Sequence, residues 1–305
     1  MAATNTFVLP PYLLKEKDMI LLADSGSTKT TWMEVETGNK VVTEGLNPHF
    51  TTDEQFSKAC NDVMERLGVP NRVYFYGAGC GNNAQRHRVQ KQLASDFNAD
   101  NVYVETDMLG ACRATAGHQP SLVAILGTGS NACLYDGEKI THQPTSTGYI
   151  LGDKGSANHV GRVLLNGYLT HHMPSRLRRM FHDAYHLSDA QLIDAVYHQP
   201  HPNRFLASLA PFAVQHIDDD YCRGVVSFTL EDWWLDALMP LYRKDDALSL
   251  RIVGGYAKAI ESMLRSVMEN NGLSVSTVLA DPIDGLREFH LLKENPCGEK
   301  MELSR

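Results

Sequence analysis

Short apolar runs alternate with helical patterns along the first half of the chain. The runs that predict strands are MILLADS, TTWMEVE, KVVTEG, RVYFYGAG, NVYVETD, LVAILGTG and NACLYDG. Between them, the segment DEQFSKACNDVMERLG has apolar residues three and four positions apart, which indicates a helix. Strands that alternate with helices predict an α/β fold.

The second half of the chain is mainly helical in its periodicity. Helix-like spacing covers 157–172, 175–187, 188–198, 203–216 and 219–236. A strand in SLRIVGG then leads into the helical YAKAIESMLRSVMENNG, and STVLADP gives one more strand. Asn271 and Gly272 predict the end of that helix, because glycine readily takes the left-handed conformation of a helix C-terminus.

Two segments share one plan of strand, Gly/Ser/Thr turn, strand and tight glycine turn. They are ILLADSGSTKTTWMEVETGNK and LVAILGTGSNACLYDGEKI. One supersecondary unit used twice, about a hundred residues apart, is typical of a duplicated fold with two lobes. Each lobe would then offer one polar turn to a shared cleft.

The chain of 305 residues exceeds the usual size of one hydrophobic core, which predicts more than one domain. We expect lobes at 19–119 and 120–290, with the last helix able to pack back on the first lobe. Residues 1–18 read as a native arm or a remnant of cloning. Residues 291–305 are charged, lack apolar periodicity and predict a solvated tail.

The overall composition limits the classes of function. A hydrophobic content of 43% with 21% charged residues is typical of a globular protein, and the net charge of −8 argues against binding to duplex nucleic acid. No apolar run reaches the roughly 18 residues of a membrane span, and the start of the chain does not read as a signal peptide. The six cysteines are scattered without a C-x-x-C pair, which predicts reduced thiols in a cytoplasmic protein.

The turn after the first strand, in ADSGSTKT, is suited to an anion. Glycine lets backbone N–H groups approach a ligand closely, and Lys29 adds a positive charge. The chain contains no P-loop and no G-x-G-x-x-G fingerprint, and a serine hydrolase is disfavoured because no histidine or aspartate partner can be named. A hairpin turn that binds nothing stays open as the alternative.

Two carboxylates follow strands and allow both a structural and a chemical role. Asp24 could hydrogen-bond the backbone of its own turn, or hold Mg²⁺ through water. Asp107 could be the N-cap of a helix, or a base that takes the proton of a substrate hydroxyl during phosphoryl transfer.

The segments that carry a family resemblance follow one another in a family-like order and spacing. They are Asp24-Ser25-Gly26-Ser27-Thr28-Lys29-Thr30, Thr106-Asp107, Gly127-Thr128-Gly129-Ser130-Asn131 and Gly152-Asp153. In them the chain resembles the BadF/BadG/BcrA/BcrD ATPase family, and within it the N-acetylglucosamine kinase branch. Further similar stretches are VYFYGAGC, GYILGD, PNRFLASLAPF and DPIDGL.

This resemblance implies an actin-like ATPase fold, which is a ribonuclease H-like fold of the kind found in hexokinase. Such a fold is α/β and has two lobes, each with a mixed sheet flanked by helices, and a ligand cleft between them. It implies ATP and Mg²⁺ as cofactors, with Asp24 orienting the magnesium and Asp107 acting as the catalytic base. The residues implied in nucleotide binding are Gly26, Ser27, Thr28, Lys29, Thr128, Gly129, Gly254 and Gly255. Those implied in sugar binding are Asn47, Asp107, Ser130, Asn131, Ser146, Thr147, Gly148 and Asp153.

The activity implied is transfer of the γ-phosphoryl group of ATP to a hydroxyl, expected to be the 6-hydroxyl, of N-acetylglucosamine or a related amino sugar. One departure from the family is Lys154, which stands where the family commonly has glutamate and predicts an altered choice of sugar or weaker binding. Two alternatives stay open: an ATPase that activates a dehydratase or reductase, and a sugar-sensing protein without catalysis. Partners other than a sugar are not expected, although a homodimer is left open.

Several other features predict ordinary structure. The histidines in HHM and in FHDAYH lack a third, acidic ligand nearby and predict a solvated helix face. The acidic run in HIDDDY predicts a helix N-terminus. Of Trp233 and Trp234, we expect at least one in the core or in an interface, since neighbouring helical residues point in different directions.

Overall fold

The computed structural model describes residues 19–242 and 248–294. The predicted arm at 1–18 and all of the predicted tail beyond residue 294 lie outside the described residues.

The first sheet has five strands in the order β3-β2-β1-β4-β5. They are β1 (Ile20–Ser25), β2 (Lys29–Glu34), β3 (Lys40–Glu44), β4 (Arg72–Gly77) and β5 (Asn101–Thr106). The pairs β1–β2 and β2–β3 are antiparallel, and β1–β4 and β4–β5 are parallel. The helices α1 (Asp53–Leu67) and α2 (Asn83–Phe97) bury apolar side chains against one face of this sheet.

The second sheet repeats this plan with the order β10-β9-β6-β7-β8. Its strands are β6 (Ser121–Leu126), β7 (Ser130–Tyr135), β8 (Ile140–His142), β9 (Leu250–Val253) and β10 (Val275–Leu279). Again an antiparallel meander, β6-β7-β8, is continued on its other side by parallel strands. The predicted duplication of one α/β unit with mixed sheets is confirmed, and β8 is a strand that the sequence did not indicate.

Helices surround the second sheet and form the larger core of the molecule. They are α4 (Gly148–Leu151), α5 (Ala157–Leu169), α6 (Ser175–Tyr185), α7 (Asp189–Tyr197), α8 (Pro202–Gln215), α9 (Asp220–Trp233), α10 (Gly255–Ala259) and α11 (Glu261–Asn270). The single helix predicted from YAKAIESMLRSVMENNG is therefore two helices, which meet at Ile260. A π-helical turn over Trp234–Leu238 extends α9.

Local features that the sequence predicted in this region are confirmed. Gly272 ends α11 with a left-handed φ of +81°. Asp219 of the acidic run caps α9, with its side chain accepting a hydrogen bond from the backbone of Tyr221. Trp233 and Trp234 are both buried in the core.

Helix α3 (Asp107–Ala116) packs against strands of both sheets, and the last helix, α12 (Ile283–Glu294), returns from the second sheet to the first. Ile283 and Leu286 of α12 are buried in one apolar cluster with Leu22 and Met33 of the first sheet. Arg287 also donates to the backbone oxygen of Val35 at 2.6 Å. The helix continues through residue 294, where the sequence predicted the tail to begin at 291.

Within residues 19–242 and 248–294, no helix has both the length and the apolar character needed to cross a membrane.

Candidate active site

The parallel strands of the first sheet bring three turns to one edge. In the register of β1, β4 and β5, Ser25 lies opposite Gly77, and Gly77 lies opposite Thr106. Because the carboxyl ends of parallel strands share an edge, Asp24 and Asp107 lie on either side of the turn that follows Gly77. The pattern of strands and turns thus places both predicted carboxylates at one edge of the first sheet.

The turn from Gly26 to Lys29 is a tight hairpin connection between β1 and β2. The backbone N–H of Gly26 donates to the oxygen of Lys29 at 3.0 Å. Below the turn, the buried hydroxyls of Ser25 and Thr30 lie 2.8 Å apart. The backbone of Gly45 packs directly against this turn. A Cβ added at Gly45 would lie 2.5 Å from the oxygen of Gly26.

Asp24 lies in a strongly negative environment. Burial, followed by the nearby carboxylates of Asp281 and Asp107, raises its pKa to about 8, and Lys29 acts in the opposite direction. An oxygen ligand set with surplus negative charge suits a hard cation such as Mg²⁺. Among the described residues, no three His, Cys, Asp or Glu side chains are close enough to form a metal site by themselves, so such an ion would need phosphate or water oxygens as further ligands.

Asp107 is the first residue of α3 and not its N-cap, so the structural alternative for this residue was wrong. Thr106 is the cap, and its hydroxyl accepts the backbone N–H of Leu109 at 3.1 Å. The Asp107 carboxylate accepts the N–H of Met108 at 2.8 Å. Burial raises its pKa, and hydrogen bonds from the backbone oppose that shift.

The second polar turn, Gly127 to Gly129, is fixed by α5. The N–H groups of Ala157 and Asn158 donate to the oxygens of Gly127 and Thr128 at 2.9 and 3.2 Å. Thr128 and Gly129 are partly exposed and therefore available to a ligand.

Asp153 supports the same turn from below. Its carboxylate accepts the N–H of Ser130 at 3.2 Å and the side-chain amide of Asn158 at 3.1 Å. A Cβ added at Gly129 would lie 2.9 Å from that carboxylate, so glycine is needed for this approach. Burial raises the pKa of Asp153, against the effect of these two hydrogen bonds.

Gly254 and Gly255 lie at the matching edge of the second sheet, between β9 and α10. Gly254 has a φ of +148°, and its N–H donates to the oxygen of Leu279 at 2.8 Å. An added Cβ at Gly254 would lie 2.1 Å from the oxygen of Leu126, whereas the position of Gly255 is open.

The predicted sugar residues fall into two groups. Five of them line one small cavity of about 60 Å³ in the second lobe: Ser130, Asn131, Ser146, Thr147 and Asp153. Gly148, at the start of α4, does not line this cavity, and neither do Asn47 and Asp107 of the first lobe. Asn47 is buried beside the turn that follows β4, since a Cβ added at Gly79 would lie 2.4 Å from its side-chain oxygen.

Lys154 lines the same cavity, and its charge is paired. Its ammonium lies 2.7 Å from the carboxylate of Asp232, and the ring of His159 lies 3.7 Å from that carboxylate. Burial, with Arg162 and Lys154 nearby, lowers the pKa of His159 to about 4. The positive charge of Lys154 is therefore balanced by an acidic partner on α9.

Three contacts across the cleft involve residues to which the sequence gave no role. Arg204, near the start of α8, donates to the backbone oxygen of Ser27 in the first polar turn. The ring of Phe50 lies 5.8 Å from that of His201. Asp281, in the turn between β10 and α12, forms an ion pair with Lys29.

Asp281 follows a strand and precedes a helix. The same pattern identified Asp107, so Asp281 could have been found from the sequence in the same way.

The predicted solvent exposure of the histidines is confirmed, because His171, His172, His182 and His186 are all exposed. The predicted helix face is wrong for three of them: only His182 lies within a helix, whereas His171 and His172 follow α5 and His186 is the left-handed residue that ends α6.

Comparisons with solved structures identify the fold. A protein from Porphyromonas gingivalis, provisionally named N-acetylglucosamine kinase, matches with a TM-score of 0.84 and 37% identity, over 89% of this chain and 98% of that one. A protein of the same provisional name from Chromobacterium violaceum matches with a TM-score of 0.70 and 17% identity, over 89% and 98%. A ROK family glucokinase from Streptomyces griseus, in complex with glucose and AMPPNP, gives 0.53 and 14%, over 90% and 98%. With its two sheets of matching order, the molecule has the predicted two-lobed, actin-like fold.

No known protein-family profile matches the chain, and no curated protein matches it in sequence. The narrower resemblance to the BadF/BadG/BcrA/BcrD family therefore stays a prediction.

Proposed function

The chain belongs to the family of the Porphyromonas gingivalis protein, and from this premise we propose that it is an ATP-dependent sugar kinase. The proposed reaction transfers the γ-phosphoryl group of ATP to a hydroxyl, the 6-hydroxyl, of N-acetylglucosamine or a related amino sugar. The observation that carries the proposal is that Asp24 and Asp107 lie at the same edge of the first sheet as the first polar turn, while the second sheet repeats the strand, turn and strand with Gly127 to Gly129.

In this proposal the two turns bind the phosphates of ATP. Gly26, Ser27, Thr28 and Lys29 of the first lobe and Thr128 and Gly129 of the second would contribute to this binding. Backbone N–H groups in such turns, together with one lysine, favour an anion. The nucleoside part is proposed to lie beside Gly255, where an added Cβ meets nothing within 4 Å.

Asp24 is the residue proposed to hold Mg²⁺, through water and alongside the phosphates. The cation would neutralise charge on the transferred phosphoryl group. The pKa of Asp24 is raised first by burial and then by the carboxylates of Asp281 and Asp107. The second cause supports this role, because carboxylates that repel one another gain from a cation placed between them.

Asp107 is the proposed base, which orients the acceptor hydroxyl and takes its proton as the phosphoryl group arrives. Its raised pKa favours proton acceptance. Asn47 and Asp107 would contact the sugar from the first lobe, while Ser130, Asn131 and the segment 146–148 would contact it from the second. Asp153 would also accept hydrogen bonds from the sugar. Each of its carboxylate oxygens accepts one bond from the protein, from Ser130 or from Asn158, and keeps a further lone pair.

The alternative of a dehydratase activator receives no support from the described cysteines. Such activators hold an iron-sulfur cluster with cysteines between subunits, whereas Cys60, Cys80, Cys112, Cys133 and Cys222 are all buried. Cys297 lies outside the described residues.

The proposal is tested by a coupled assay of ADP release across a panel of amino sugars and neutral sugars, with the product identified by ³¹P NMR. We expect ADP release that requires Mg²⁺ and is stimulated most by N-acetylglucosamine or a close relative, with phosphate on the 6-hydroxyl. Folded protein that binds ATP but releases no ADP with any sugar would refute the kinase and favour the sugar-sensing alternative.

A further inference from the structure

Asp281 connects the first polar turn to the edge of the second sheet. It follows β10 and precedes Pro282 and α12. One carboxylate oxygen, Oδ1, accepts the backbone N–H of Ile283 at 3.1 Å. The other, Oδ2, accepts from the ammonium of Lys29 at 2.6 Å and from the hydroxyl of Thr31 at 3.1 Å.

The two oxygens of Asp281 therefore have separate tasks. Oδ1 caps the first turn of α12, which is a structural role. Oδ2 is directed at β2, where Thr31 is the cross-strand partner of Asp24. The Asp281 side chain is 25% exposed and is held by three hydrogen bonds, whereas that of Lys29 is 56% exposed. The carboxylate is the better anchored member of this pair, because two of its hydrogen bonds, from Ile283 and Thr31, do not involve Lys29.

We propose that Asp281 is a positioning residue of the nucleotide site, which holds the Lys29 ammonium at the mouth of the first polar turn so that its remaining donors face the phosphates of ATP. The proposal rests on the function proposed above. An ammonium has three N–H donors, and Asp281 uses one of them.

The physical reason is the flexibility of lysine. A free lysine side chain loses considerable rotamer entropy when it is ordered on a ligand. An ion pair to an anchored carboxylate orders that side chain before ATP arrives, and pre-organisation of this kind increases affinity. Since Asp281 extends from the second sheet, it also makes the position of Lys29 depend on the placement of the two lobes.

The test compares ATP affinity in wild type, Asp281→Asn, Lys29→Ala and the double variant, each measured by isothermal titration calorimetry without sugar. Asparagine keeps the size of the side chain and can keep the cap on Ile283, but it loses the charge that attracts Lys29. We expect Asp281→Asn to weaken ATP binding about three- to tenfold, and the double variant to bind as weakly as Lys29→Ala alone. In turnover, KM for ATP should rise while KM for the sugar is unchanged.

A matched control lies in the first turn of α12, three residues after Asp281. The ammonium of Lys40 lies 2.8 Å from the carboxylate of Asp284, which also joins α12 to the first sheet. Asp284→Asn should leave ATP affinity unchanged. If Asp281→Asn does not fold, Asp281→Ser, which also keeps a capping hydroxyl, replaces it.

Unchanged or tighter ATP binding in Asp281→Asn would overturn the positioning role, and so would effects of Asp281→Asn and Lys29→Ala that simply add. Because ATP binding is measured without sugar, these outcomes are distinct from a failure of sugar phosphorylation, which would refute the proposed function.

Discussion

At the scale of single residues, the cleft is organised by carboxylates and one lysine. Asp24, Asp107 and Asp281 lie close enough for the latter two to raise the pKa of Asp24 to about 8, with burial as the largest cause. Hydrogen bonds from Lys29, Ile283 and Thr31 outweigh the burial of Asp281 and lower its pKa. Negative charge is thus concentrated on the side of the cleft where the proposed magnesium would be bound.

This arrangement predicts that Asp24 reduces stability near neutral pH. Its pKa in the folded chain lies above the ordinary value of 3.8, so the folded state binds a proton that the unfolded state releases. The stabilisation that comes from this tighter proton binding is fully present below about pH 4, and it is lost as the pH rises through about 8. We expect Asp24→Asn to raise the free energy of unfolding by roughly 1–3 kcal/mol at neutral pH, with a difference that grows toward pH 8.

Thermal unfolding of wild type and Asp24→Asn at a series of pH values measures this effect. The same variant should lose the effect of Mg²⁺ on nucleotide binding. A variant less stable than wild type at every pH would show that the charged carboxylate stabilises the fold, against this prediction.

At the scale of elements, the two glycines after β9 differ in their surroundings, and one substitution at each of them can test this difference. Gly254 has a positive φ, and a side chain there would meet the backbone of β6. We expect Gly254→Ala to cost at least about 3 kcal/mol of stability, because both the backbone conformation and the close contact are lost.

Gly255 is the matched control, since its position is open and it begins α10. Gly255→Ala should leave the melting temperature unchanged within about a degree or raise it, and any rise in KM for ATP would then report contact with the nucleotide. Equal melting temperatures for wild type and Gly254→Ala would contradict this account of the turn.

Elements were predicted from the sequence where the signal was local. Strands with long apolar runs and the glycine after α11 leave clear patterns, but β8 spans only Ile140–His142 and is largely exposed, so its pattern is weak. The single helix predicted after β9 is interrupted because Ile260 leaves the helical conformation. The candidate site shows the same limit: Lys29 and Asp281 are 252 positions apart, and Ser27 and Arg204 are 177 apart. Hydrophobic periodicity is a local property of the chain and therefore cannot predict contacts between residues so far apart in sequence.

At the scale of the whole molecule, two sheets of one strand order are connected by helices. Helix α3 packs on strands of both, and α12 carries the end of the chain back to the first sheet. Arg204 and the contact between Phe50 and His201 join the lobes at the mouth of the cleft. Since a closed cleft excludes water, contacts that hold the lobes together would favour transfer to a sugar hydroxyl over hydrolysis of ATP in the proposed reaction.

The most direct test of the central claim is sugar-dependent ADP release by Asp107→Asn, measured beside wild type. Asparagine has the same size but cannot accept the proton, so we expect kcat to fall at least about a hundredfold, with ATP affinity and melting temperature retained. Asp62→Asn is the control, because it removes a half-buried carboxylate that pairs with Arg66 on α1, and it should turn over like wild type. Turnover by Asp107→Asn at the wild-type rate would contradict the assignment of the base and the phosphotransfer mechanism built on it.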